Sequence, residues 1–400
     1  RISCPMLECA LVSGICSAGA DAMVCGVIPT PGVAKLVREY GCDAGVVISA
    51  SHNSFEFNGI KFFSSEGYKL PDRIEDEIEA LINDPSVWGN RFPTGDGIGH
   101  RLFCDTASKD YSNELKKAFD IDLKGLKVAL DCANGATAFI APVLFSDLGA
   151  QVFTIGDTPD GININRNCGS THPEGLSKIV VENGCDIGFA FDGDGDRMLA
   201  VDEDGAVVDG DVIMAVMADH MKKRGELAND TLVVTVMSNL GLDIFAGANG
   251  ISLAKTKVGD RYVLEEMAAN GHSIGGEQSG HIILLDHATT GDGMLSALKL
   301  LQVICDTSSS IKQLKGIMKV LPQVLKGVRV SNENKDKVMN DPELKSRSRQ
   351  IEEELAGRGR VLVRASGTEP LIRVMLEGED TLRITQLCDS IIEYISCKYV

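Results

Sequence analysis

The segment Asp192-Gly193-Asp194-Gly195-Asp196 places three carboxylates within five residues, with Arg197 directly after them. The apolar run Ile187-Gly188-Phe189-Ala190-Phe191 precedes it and reads as a buried strand, so the acids lie at a strand's carboxyl end. Carboxylates this close repel unless a positive charge lies between them. A hard cation such as Mg²⁺ supplies that charge and takes oxygen ligands in a tight octahedron. The two glycines let the backbone curl until the three side chains converge. A metal loop is the leading reading. An EF-hand calcium loop would also have acids at its first, third and fifth positions, and Glu203 falls at its twelfth. Its sixth position, however, needs glycine and is Arg197 here. The flanks, Phe189 to Phe191 and Met198 to Val201, are strand-like rather than helical. A solvated acidic turn is the remaining alternative.

Three further clusters could do chemistry. Ser49-Ala50-Ser51-His52-Asn53 follows the strand-like Val46 to Ile48, where ligands bind in parallel sheets. Ser51 as a phosphoserine would carry nearly two negative charges and suit a cation held by the aspartates; a plain N-cap serine is the alternative. Lys61, in Asn58-Gly59-Ile60-Lys61, could project back toward Ser51 or be a surface lysine. In Gly275-Gly276-Glu277-Gln278-Ser279-Gly280-His281, Glu277, Ser279 and His281 could hydrogen-bond sugar hydroxyls, with a tight hairpin as the alternative. Arg364-Ala365-Ser366-Gly367-Thr368-Glu369-Pro370, with Arg373 beyond, offers the amides, hydroxyls and guanidinium groups that a phosphate dianion needs. Lys257-Val258-Gly259-Asp260-Arg261, at an expected helix start, is a weaker anion candidate. No GxGxxG follows a strand and no Walker loop is present, which disfavours a nucleotide enzyme.

These loops need a scaffold, and the chain alternates strand-like runs with helix-period segments almost throughout, as parallel sheets covered by helices do. Met6 to Ala18 reads as an amphipathic helix, Ala22 to Val27 as a strand, and Gly45 to Ile48 and Ile60 to Phe63 as two more. After Tyr111 the pattern restarts with strand Lys127 to Asp131, helix Ala136 to Leu148, strand Val152 to Ile155 and strand Ile187 to Phe191. A third round holds Thr231 to Val236, Gly241 to Ala248, Ser252 to Lys255 and Gly259 to Asn270. From about Pro322 the pattern becomes α+β: Val324 to Ser331, helix Pro342 to Gly357, strands Arg360 to Arg364 and Leu371 to Glu377, helix Thr381 to Ser396. The expected fold is α/β: three related α/β domains with mixed, mostly parallel sheets plus a C-terminal α+β domain around a central cleft. The expected bounds are 1–118, 119–209, 210–321 and 322–400, with one loop in each.

Four hundred residues allow two to four domains, and 44% hydrophobic with 24% charged residues is ordinary for globular chains. Fifty-seven acidic against 39 basic residues give −18, which excludes nucleic acid as a general partner. Twelve cysteines without a CxxC pair fit free thiols in a reducing cytosol. No apolar run is long enough to span a bilayer and no signal peptide is visible, so a cytoplasmic protein without a membrane partner is expected. The chain opens with Arg1 rather than Met, which reads as a fragment lacking its natural N-terminus.

The four loops, in this order and one per expected domain, resemble the signature loops of the α-D-phosphohexomutases, over the whole chain. Asp131-Cys132-Ala133-Asn134-Gly135-Ala136, Lys257 to Tyr262, Glu277-Gln278-Ser279 and Ser366 to Pro370 are similar to the bacterial phosphoglucosamine mutase branch. The resemblance implies an isomerase in which Ser51 is phosphorylated at rest and one Mg²⁺ is held by that phosphate with Asp192, Asp194 and Asp196. It implies interconversion of glucosamine 6-phosphate and glucosamine 1-phosphate through a glucosamine 1,6-bisphosphate, serving UDP-N-acetylglucosamine and cell-wall precursor synthesis. His52 and Lys61 would handle the hydroxyl proton and Arg197 would steady the phosphoryl group. Lys257, Asp260, Arg261, Glu277, Ser279 and His281 would bind substrate; Arg364, Ser366, Gly367, Thr368 and Arg373 would hold the non-reacting phosphate. The alternatives are phosphoglucomutase or phosphomannomutase activity, or an inactive fragment that binds sugar phosphate or a partner subunit; a homodimer is compatible with either. The chain departs from the pattern at Ser54, where the family usually has proline, and at Cys4-Pro5, where glycine is common. Relatives also carry a strand and a glycine-rich segment before the point where this chain starts; a protein beginning at Arg1 would lack a strand of its first sheet.

Overall fold

The computed structural model describes every residue except 85, 87–91 and 367–368. It divides into two compact units, residues 1–237 with 249–317 and residues 238–248 with 318–400.

In the first unit Ala22–Val24 pairs in parallel with Arg101–Phe103, and Ala44–Ile48 pairs antiparallel with Ile60–Ser64. A five-stranded sheet has the order Gln151–Ile155, Lys127–Asp131, Ile187–Phe191, Met198–Asp202, Val207–Val208; its first three strands are parallel and its last two antiparallel. The central strand Ile187–Phe191 is buried at every position. Both of its faces are covered, so it reads as a continuous apolar run rather than an alternating one. A four-stranded sheet orders Ser252–Thr256, Thr231–Thr235, Ile274–Gly276 and Ile282–Leu284, parallel except for the last. In the second unit Gln323–Arg329, Leu371–Gly378 and Gly359–Ala365 form an antiparallel sheet. Helices Pro342–Leu355 and Thr381–Tyr399 close its core through Leu344, Ile351, Ile384, Cys388 and Ile391.

Three elements depart from the sequence pattern. The helix expected over Ala136 to Leu148 is broken into a 3-10 turn, Ala136–Phe139, and a helix, Ala141–Asp147. Pro142 lacks the N–H that a continuous helix would need there and is tolerated only in a first turn. Helix Cys4–Ser17 forms but buries none of its residues fully, so the expected apolar face is only half covered. Helix Leu240–Ala248 belongs to the second unit, whereas its βα pattern had placed it in the third round. Asn239 fixes it there: its Nδ2 donates to Leu321 O at 2.9 Å and its Oδ1 accepts from Leu321 N at 3.0 Å. Among the described residues, no helix is long and apolar enough to cross a membrane.

Candidate active site and metal centre

The acidic loop leaves the end of the buried strand Ile187–Phe191, and the packing around it explains both glycines. A Cβ on Gly193 would meet Asn165 Nδ2 and Ser51 O at 2.7 Å. Gly195 has φ +72°, and a Cβ there would meet Thr137 Cγ2 at 2.7 Å. With no side chain at either position, the three aspartates can turn to one point. They are 1%, 3% and 4% exposed, and each offers an oxygen within 4.8 Å of the others'. An octahedron with arms of about 2.1 Å sets neighbouring oxygens roughly 3 Å apart, so a small closing movement suffices.

The electrostatics agree with this geometry. Burial, then the charges of Asp196 and Asp194, push the Asp192 carboxyl well above its ordinary range. Asp194 Oδ1 and Asp196 Oδ1 are buried acceptors without a hydrogen-bond partner. Such atoms are costly unless a ligand satisfies them. Hard oxygen donors, crowded and partly orphaned, fit a divalent cation of the magnesium kind.

Ser51 faces this cluster from the loop after strand Ala44–Ile48. Its Oγ donates to Asp192 Oδ2 at 2.6 Å. Its backbone is left-handed, with φ +50°, a conformation that persists in a non-glycine residue only when the surroundings hold it. They do: Asn165 Nδ2 donates to Ser51 O and to Asn53 O, both at 2.9 Å, and Arg1 Nη2 donates to Ser51 O at 2.9 Å. Ser49 Oγ accepts from Ser51 N at 3.0 Å.

The sequence-predicted proton handlers also reach the cluster. Lys61 Nζ lies 2.7 Å from Asp194 Oδ2 and 3.5 Å from Asp196 Oδ2. Burial disfavours its charge, but Asp194 and Asp196 outweigh that and hold it protonated. Arg197 Nη1 lies 3.3 Å from His52 Nδ1. Burial, then Arg197, lowers the His52 pKa, so the ring is a neutral imidazole that accepts from the guanidinium. Arg197 N also donates to Asp192 Oδ1 at 3.2 Å.

The third loop contributes unevenly. His281 is 2% exposed; its Nε2 accepts from Gly291 N at 3.1 Å, which puts the ring proton on Nδ1, 3.8 Å from Asp196 Oδ1. It therefore braces the acidic loop. Glu277 Oε1 accepts from Gly259 N at 3.1 Å, and Ser279 is exposed. Lys257 is exposed with its Nζ 5.7 Å from the Tyr262 ring centroid. Asp260 pairs with Lys69, and Arg261 with Glu265 and Asp72, so both are already engaged.

In the second unit Arg364 and Arg373 are directly opposed on antiparallel strands Gly359–Ala365 and Leu371–Gly378. Each has a buried Nε without a partner, and burial, then Arg373, lowers the Arg364 pKa. Like charges facing each other cost stability unless an anion lies between them. Ser366 is 6% exposed and its Oγ accepts from Glu369 N at 3.3 Å. Gly367 and Thr368 lie outside the described residues.

Sequence reasoning missed the supports from distant segments. Besides Asn165 and Arg1, Thr30 N donates to Asp194 O at 2.9 Å and its Oγ1 to Asp194 Oδ2 at 2.7 Å. Thr30-Pro31 marks a helix start, and nothing local to it points to a carboxylate 164 residues away.

Known proteins match this chain along its length. Domain descriptions of phosphoglucomutase/phosphomannomutase match in chain order: α/β/α domain I at residues 1–86, domain II at 109–205, domain III at 209–321 and the C-terminal domain at 300–394. A phosphoglucosamine mutase of Acetivibrio thermocellus is 57% identical over 380 residues, covering 95% of this chain and 84% of that one. One of Clostridium acetobutylicum is 54% identical over 398 residues, covering 100% and 89%. Among solved structures, a phosphoglucomutase/phosphomannomutase family protein of Burkholderia thailandensis superposes with a TM-score of 0.80 at 24% identity, covering 99% of this chain and 87% of that one. Aspergillus fumigatus N-acetylphosphoglucosamine mutase, in complex with GlcNAc-6P and magnesium, gives 0.69 at 17% identity, covering 92% of each chain. With its four domains matched in order and relatives above one-half identity along its whole length, the chain belongs to the phosphoglucomutase/phosphomannomutase family, the phosphohexomutase isomerases.

Proposed function

We propose that this protein is a phosphoglucosamine mutase that interconverts glucosamine 6-phosphate and glucosamine 1-phosphate through a phosphorylated Ser51. The observation that carries this reading is the Ser51 hydroxyl on Asp192 at the edge of the carboxylate cluster. The substrate is taken from relatives more than half identical that bear that name.

Asp192, Asp194 and Asp196 would hold Mg²⁺, which supplies charge neutralisation and in-line positioning for the phosphoryl group in transit. The chain's own groups account for the rest. Lys61 and Arg197 leave one of the three carboxylates uncompensated, and a phosphoserine adds roughly two more negative charges. That surplus makes the cluster a cation site when Ser51 is modified. His52 and Lys61 are assigned to the proton of the incoming sugar hydroxyl, a contribution of about 10² to 10⁴ in rate. The phosphoryl group passes from Ser51 to the sugar, giving a 1,6-bisphosphate. After the intermediate turns over, the other phosphate returns to Ser51. Glu277 and Ser279 are assigned to the sugar hydroxyls, with Lys257, Asp260 and Arg261 at the margin of that site. Arg364, Ser366 and Arg373, with Gly367 and Thr368, are assigned to the phosphate that does not react. The division at residues 118, 209 and 321 gives each domain one of these loops. A cytoplasmic setting accords with twelve cysteines that are all free.

Coupled assays on the 6-phosphates of glucosamine, glucose and mannose test the reading. Turnover is expected to be greatest on the amino sugar. A preference for glucose or mannose 6-phosphate would move the assignment to another member of the family, and no turnover on any of them would overturn it.

A further inference from the structure

Away from the acidic cluster, three cysteines gather beside the short parallel strand pair: Cys25, Cys42 and Cys104. The register Ala22 with Arg101, Met23 with Leu102 and Val24 with Phe103, carried one residue further, pairs Cys25 with Cys104. Cys104 N donates to Val24 O at 3.0 Å, the bond that closes the last pair, Val24 with Phe103, and the two cysteines are the next residues out on each strand. Opposed residues of neighbouring strands are about 4.8 Å apart and point to the same face. That spacing lies inside the roughly 4.4–6.8 Å between Cα atoms that a disulfide bridges without backbone movement.

We propose that Cys25 and Cys104 form a redox-modification site, a dithiol that a hydroperoxide converts into an intrachain disulfide. Both thiols are half-buried and free, so a small oxidant can reach them. Cys104 is the attacking group. Its sulfur lies 3.4 Å from the Tyr40 hydroxyl and 3.8 Å from Thr106 Oγ1, just ahead of helix Ala107–Ala118. A thiolate before a helix start is the common form of a reactive cysteine. Cys25 differs: burial, then the neighbouring Cys104 and Cys42, pushes it up to about 11, so it waits as a thiol.

The chemistry balances with the peroxide as two-electron acceptor. Cys104 thiolate attacks one peroxide oxygen, the O–O bond breaks, and the alkoxide or hydroxide released takes a proton. Cys104 becomes a neutral sulfenic acid, which removes the negative charge beside Cys25. The Cys25 sulfur then displaces the sulfenic hydroxyl, which leaves as water with the Cys25 proton, and the S–S bond forms. Two thiols and one peroxide give one disulfide, one alcohol or water, and one further water. Cys42 takes no part.

The test treats the whole folded protein with hydrogen peroxide, blocks remaining thiols, and maps peptides by mass. A linked peptide pair containing Cys25 and Cys104, lighter by two hydrogen atoms and separated again by dithiothreitol, is expected. Cys42→Ser should give the same link at the same rate. Cys25→Ser should stop at a Cys104 sulfenic acid that dimedone traps, and Cys104→Ser should slow oxidation of Cys25 by at least about tenfold. A link running through Cys42, a Cys104 sulfinic acid with no linked peptide, or undiminished oxidation of Cys25 in Cys104→Ser would overturn the assignment.

Discussion

Ser51 Oγ donates to Asp192 Oδ2 across 2.6 Å of space and 141 residues of sequence. This contact puts the proposed phosphate carrier on the carboxylate cluster. Ser51→Ala should therefore remove any covalent phosphate from the intact mass and lower turnover by orders of magnitude, with folding unchanged by circular dichroism. Unphosphorylated enzyme that cycles without added bisphosphate would contradict the mechanism.

The crowded acids store repulsion that a metal relieves, so removing one charge should have opposite effects on stability and on metal binding. Asp192→Asn is expected to raise the melting temperature of chelator-treated protein by a few degrees. In the parent, Mg²⁺ at a hundredfold excess over its Kd should stabilise by about 2.7 kcal/mol. In the variant that increment should vanish along with activity. Calorimetry with and without EDTA reads both effects.

Asn165 holds the left-handed Ser51 through two hydrogen bonds to carbonyls of the serine loop. Asn165→Ala leaves the serine in place but releases its strain, and each lost hydrogen bond is worth about 1 kcal/mol. Turnover should fall roughly 10-fold, with a smaller change in KM. A variant as fast as the parent would show that the loop holds its shape without this side chain.

Arg364 and Arg373, opposed across two strands, predict a site that inorganic phosphate or sulfate stabilises. Arg373→Ala should abolish the melting-temperature gain from sulfate. It should also raise KM for the sugar phosphate roughly 10- to 100-fold, in line with about 1.5–3 kcal/mol for charged hydrogen bonds. An unchanged KM would remove Arg373 from the phosphate site.

Asp292, the N-cap of helix Gly293–Thr307, accepts from Tyr111 Oη at 2.6 Å and from Leu295 N at 3.0 Å. Burial nevertheless pushes its pKa up to about 6. The unfolded value is about 3.9, so between the two the folded state binds the extra proton. The contribution of Asp292 is thus fully present below about pH 4 and is lost as pH rises through 6. Asn keeps the acceptor and the cap without titrating. The unfolding free energy of the parent relative to Asp292→Asn, read by denaturant titration, should fall from pH 4 to pH 7 by an amount on the order of 3 kcal/mol. A pH-independent difference would show that Asp292 is ionised throughout.

The sequence by itself determined the elements and the local chemistry. Ile187 to Phe191 is apolar at every position because both of its faces are covered, and the acids after it share one loop because glycines separate them. Lys127 to Asp131 and the opposed strands around Arg364 and Arg373 were legible for the same reason: periodicity records burial within one segment. The break at Pro142 was written in the chain as well, but the apolar period across it concealed the break. Tertiary structure alone decided which distant groups meet. It placed Ser51 and Thr30 on the aspartates, turned His281 toward Asp196 rather than outward, and engaged Asp260 and Arg261 in ion pairs. It also moved helix Leu240–Ala248 into the second unit through Asn239. Such contacts join side chains far apart in the chain, and their energy depends on distance and burial that no local pattern encodes.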